Sequence, residues 1–155
     1  MIIERELENK LISELSALFE DDNIQFVGSR SVTEDGKLLT EKDNVKTIIA
    51  VGTGYRSHDA FSLPMIDIKV SLVICTRIEL DPTATYHENL IEKLTDVLSY
   101  WHFKGVEMEY KLSTEKFVAG ELRLTGGSGR ITDKTNNVWS DTINFEIRGT
   151  QIFNN

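Results

Sequence analysis

Residues 65–101 constrain this chain more than any other stretch, because an alternating strand, an Asp-Pro start signal and an amphipathic helix follow one another almost without a gap. Ile66, Ile68, Val70, Leu72 and Ile74 take every second position, with Asp67, Lys69 and Ser71 between them. A period of two is that of a strand with one face against a core. Val73 and Cys75 interrupt the polar alternation, so the far half of the strand, which runs over 65–80, is expected to be covered on both faces and to lie centrally in its sheet. Asp81 is a good N-cap, and Pro82 suits a first helical position, where a missing N–H costs nothing. Thr85 with Glu88 offers a second capping box, so a helix begins between 81 and 85. Tyr86, Leu90, Leu94, Val97, Leu98 and Trp101 form its apolar stripe, while Glu88, Glu92, Lys93 and Asp96 read as a solvated face. His102, Lys104 and Gly105 supply its C-terminus.

The flanking segments extend this unit into a fold. Ile3, Leu7, Leu11, Ile12, Leu15, Leu18 and Phe19 repeat at helical spacing, which predicts a helix over 3–20, with Glu4 and Glu6 favourably placed against its dipole. A short strand over 24–27 and a polar segment over 29–44 follow, the latter carrying the turn signal Glu34-Asp35-Gly36-Lys37. A β-rich run over 45–51 is expected to stop at Gly52-Thr53-Gly54, leaving a loop with ragged strand ends as far as Pro64. Strands over 117–125 and 138–152 read as an antiparallel hairpin, joined by a Gly/Asn/Asp-rich connection at 126–137 with a short strand at 130–132. The order α-β-β-β-α-β-β predicts one α+β domain over 1–155, with a mostly antiparallel or mixed sheet and two amphipathic helices packed on it.

Composition bounds the function. A chain of 155 residues, 40% hydrophobic and 27% charged, suits one globular domain and argues against wholesale disorder. Twenty-five acidic against 17 basic residues give a formal charge of −8, and the basic residues are scattered singly, which disfavours binding to a polyanion. Cys75 is the single cysteine, so no intramolecular disulfide can form, and its place in a strand predicts a buried, inert thiol. The longest apolar runs, such as 72–75, fall far short of the ~20 residues that span a bilayer. The N-terminus is charged from Glu4 and lacks a secretory apolar region, so a cytoplasmic product without a membrane partner is expected.

Chemistry is sparse. Gly52-Thr53-Gly54 lacks phosphate-loop spacing and has no helix after it, and Gly126-Gly127-Ser128-Gly129 fits a hairpin turn. His58, His87 and His102 lack zinc-ligand spacing, so neither metal nor cofactor is expected. His58-Asp59 could form an acid/base couple, since a carboxylate can orient an imidazole, but no third group accompanies them. His87 is expected at the surface or against a neighbouring chain. Glu88, Glu92 and Asp96 at i, i+4 spacing read as a solvated face in preference to an acidic metal site. Trp101 and Trp139 belong in the core or at an interface.

Several patterns then coincide. Pro64 precedes the alternating strand IDIKVSLVICT, the acidic turn Glu79-Leu80-Asp81-Pro82 follows it, the helix carries His87, Leu90 and Leu94 as H-x-x-L-x-x-x-L, and the chain ends in a strand reading TINFEIRGTQ. Over roughly residues 3–153 this arrangement resembles the tail terminator, or tail completion, proteins of long-tailed bacteriophages and prophages. The resemblance implies a non-enzymatic assembly protein with an α+β fold. It would form a homo-oligomeric ring, expected to be a hexamer, that caps the tail tube, ends polymerisation and offers the head-joining surface. The implied partners are further copies of itself, the tail tube protein and a head-completion protein, with no sequence-specific nucleic acid. The implied location is the virion tail, after assembly in the host bacterial cytoplasm.

A ring needs a head-to-tail interface that closes. Interface candidates are Tyr55, Arg56, His58 and Phe61, because Tyr, Phe and Arg are enriched at interfaces, together with the polar segment 33–42. The same side chains could instead anchor a loop on their own monomer. Two rival classes stand beside assembly: a small α+β module binding a ligand or peptide, and an enzyme built on His58 and Asp59.

Overall fold

The alternating strand is the middle of the molecule. A computed structural model describes residues 2–20, 23–28, 45–58 and 64–153, without the side chains of Tyr55 and His58. Among the described residues the elements are α1 (Ile3–Leu18), β1 (Ile24–Gly28), β2 (Thr47–His58), β3 (Met65–Arg77), a 3-10 turn (Ile78–Leu80), α2 (Thr85–Phe103), α3 (Gly105–Leu112), β4 (Phe117–Gly127), β5 (Ile131–Asp133) and β6 (Val138–Gln151). The sheet runs β1-β2-β3-β6-β4, with β5 also paired to β6. β3 pairs antiparallel with β2 on one side and, along its whole length, with β6 on the other. β1 lies parallel to β2, so the sheet is mixed.

Period-two burial decides the layering. Ile66, Ile68, Val70, Leu72 and Ile74 are all buried, and their register partners Val51, Ile143, Phe145 and Ile147 are buried with them. Leu7, Leu11 and Leu15 of α1, Leu90, Leu94, Leu98 and Trp101 of α2, and Met108 and Leu112 of α3 join those strand residues in one core cluster. All three helices therefore cover the same face. The opposite face is a polar ladder: Asp67 pairs with Arg148 at 3.1 Å, Ser71 donates to Asn144 at 2.8 Å, and Arg123 meets Glu146 at 3.3 Å. Val73 and Cys75 on that face are half-buried, so the far half of β3 is not fully covered on both sides as its composition suggests.

The structure goes beyond the sequence reading at three places. β2 does not stop at Gly52-Thr53-Gly54 but continues to His58, and its register with β3 shifts between Thr53 and Arg56. A bulge absorbs the extra residue, and glycine is the residue such a bulge tolerates most easily. α2 ends at Phe103 with Lys104 as its C-cap, as expected, but a further helix that the sequence reading lacks, α3, begins at Gly105 and packs Met108 and Leu112 at i, i+4 spacing against β4. The connection 126–137 carries the expected short strand as β5, which aligns Thr132 with Trp139 of β6, and β4 runs two residues beyond its expected end, to Gly127.

Gly149 sits where β6 passes beneath Phe117. A Cβ there would lie 2.3 Å from the Val118 carbonyl and 2.5 Å from the Phe117 ring, and both the carbonyl and the fully buried ring are fixed by the sheet. Gly149→Ala should therefore destabilise the fold by about 1–3 kcal/mol, the usual cost of overpacking. Urea denaturation compared with wild type measures it.

Candidate functional site

Arg56 is engaged within its own monomer. Its guanidinium donates from Nε and Nη2 to the two oxygens of Glu4, at 2.6 and 2.8 Å. Glu4 is buried on the first turn of α1, and Thr53 also donates its hydroxyl to the Glu4 carbonyl at 2.9 Å. The hydrogen bond from Arg56 holds the Glu4 carboxyl below the ordinary glutamate range, and the same bond raises Arg56. A fork-shaped cation matched to a carboxylate is a strong, directional contact. It clamps α1 to β2. Tyr55 and His58 belong to β2, with side chains outside the description, and Asp59, Phe61 and the segment 33–42 lie outside the described residues.

The second polar centre joins β2, β3, α2 and β6. His87 is fully buried, not at the surface as its place in the first turn of α2 suggests. Its Nε2 lies 2.9 Å from Asp141 Oδ2 and its Nδ1 2.7 Å from Thr76 Oγ1, which in turn lies 2.9 Å from Thr47 Oγ1. An ionised carboxylate only accepts, so Nε2 is assigned as the donor. In the neutral ring Nδ1 then accepts from Thr76, and Thr76 accepts from Thr47. Each group in the chain finds a partner, which is the condition for burying polar atoms cheaply. The reason His87 turns inward is local. Asp81 accepts backbone N–H bonds from Tyr86 at 3.1 Å and from His87 at 2.9 Å, capping α2 from before the Ala84 turn. Trp139 donates its indole N–H to the Asp81 carbonyl at 2.8 Å, so the cap is itself tied to β6.

Hydroxyl, imidazole and carboxylate in this order resemble a nucleophile relay. Thr47, Thr76 and His87 are all sealed from solvent, however, so the hydroxyl has no substrate to meet. The relay is a structural pin. Cys75 is half-buried with Sγ 3.9 Å from Ser140 Oγ, and burial raises its thiol, so it stays protonated near neutral pH. Glu88 is less solitary than its helix face suggests: it pairs with Arg130, whose guanidinium lies over the Trp139 ring at 5.1 Å.

The outer surface of the helix layer carries what the interior does not explain. Phe103 is 82% exposed, Val106 84% and Tyr110 85%, and Tyr100 beside them is half-exposed. Tyr100 donates its hydroxyl to Glu107 at 2.7 Å, which ties the end of α2 to α3 and groups these side chains at one corner. Sequence reading passed over them, because Phe103 falls outside the α2 stripe and Tyr110 sits in a charged run. Their signal is large apolar side chains placed off the buried face of a helix. Alongside α2, from Tyr86 to Val97, lies a trough of about 1030 Å³, with Leu18, Phe19, Ile24, Tyr86, Leu90 and Val97 among its lining. No helix among the described residues is long and apolar enough to cross a membrane, and no three of their His, Cys, Asp or Glu side chains converge as metal ligands.

His87→Ala should cost about 2–5 kcal/mol, because it opens a cavity and strips Asp141 and Thr76 of buried partners. In a double-mutant cycle with Asp141→Ala the two losses should fall short of additive, as read from chemical denaturation. Glu4 gives a pH signature. Its folded pKa is depressed, so its stabilisation is complete above the ordinary glutamate range and is lost as pH falls through the lowered value. Glu4→Gln should be less stable than wild type by about 1–3 kcal/mol near neutral pH, and the gap should close in acid, as measured by urea melts across pH.

No protein-family model and no curated protein matches this chain.

Proposed function

We propose that this chain is a structural assembly protein of a tailed bacteriophage or prophage, of the tail-terminator kind. It forms a ring that caps the tail tube and presents the head-joining surface. One observation carries the reading beyond the sequence resemblance: the helix layer exposes Tyr100, Phe103, Val106 and Tyr110 together, a cluster that water disfavours and a protein partner would cover. The closed state of the His87 network supports a non-enzymatic role, since the relay-like group of the interior is spent on packing. The partners in this reading are further copies of the chain, the tail tube protein and a head-completion protein. Assembly takes place in the host bacterial cytoplasm, and the product stays in the virion tail.

The trough between α1 and α2 favours a second reading, a small ligand- or peptide-binding module, because its volume is at the upper end of the range for small-molecule sites. Its rim residues Leu18, Glu20, Asn89, Lys93 and Asp96 are exposed, so it is open along one side and suits a protein surface better than an enclosed ligand.

Growing tail tubes, taken with the proteins of the same tail, test the assignment. Adding the purified protein should stop elongation and leave an added ring at one end by electron microscopy. Tubes that continue to grow and show no bound protein would sink it.

A further inference from the structure

We draw no further inference here: the strongest candidate, the open trough between α1 and α2 together with the Tyr100, Phe103 and Tyr110 corner that adjoins it, is a part-apolar surface carrying charges of both signs, and nothing in the structure shows what covers it.

Discussion

One-sided burial of β3 is the constraint from which the rest of the architecture follows. Its even-numbered residues from Ile66 to Ile74 cannot face water, and β3 sits between β2 and β6, so the neighbouring strands must present apolar side chains in the same register. Once that face is apolar across Ile49, Val51, Ile143, Phe145 and Ile147, each amphipathic helix has one place to bury its stripe. α1, α2 and α3 gather there, and the opposite face is left to paired charges such as Asp67 with Arg148. A two-layer domain results.

Polar contacts then choose among the ways in which helices could lie on that face. Hydrophobic burial is non-directional and would tolerate a sliding helix. The Arg56–Glu4 fork fixes α1 against β2, the Thr47–Thr76–His87–Asp141 chain fixes the start of α2 against three strands, and a His102 ring N–H donating to the Leu122 carbonyl at 2.6 Å fixes its end against β4. Each is costly to bury if one partner is displaced, so together they set the register of the helix layer on the sheet. These groups are engaged inside the monomer. Among the described residues, the helix surface carries an exposed aromatic corner at the C-terminal end of α2 and a trough alongside α2 from Tyr86 to Val97.

Legibility followed the physics of each signal. β3 and the α2 stripe were plain because burial imposes periods of two and 3.6 on the chain. The strand through Gly52 and Gly54 was hidden, because glycine reads as a stop in sequence but is tolerated in a strand once Ser71 pairs with Gly52 and Lys69 lies against Gly54 at the bulge. α3 was hidden because two turns give only Met108 and Leu112 as its buried signal, too few for a periodicity. Arg56 reads in sequence as an interface candidate or a loop anchor, and the partner it has in the monomer, Glu4, lies 52 positions away on α1, a separation no local pattern encodes.

The sequence by itself determined the α+β class, the central strand, the start of α2 between 81 and 85 and the absence of any intramolecular disulfide, since these depend on local periodicity, capping chemistry and a cysteine count. Only the tertiary structure decided that His87 is interior, that Arg56 binds Glu4, and that Phe103, Val106 and Tyr110 share one exposed corner. The reason is that solvent exposure and long-range pairing are properties of packed elements, and a side chain acquires them only when its helix is set down on the sheet.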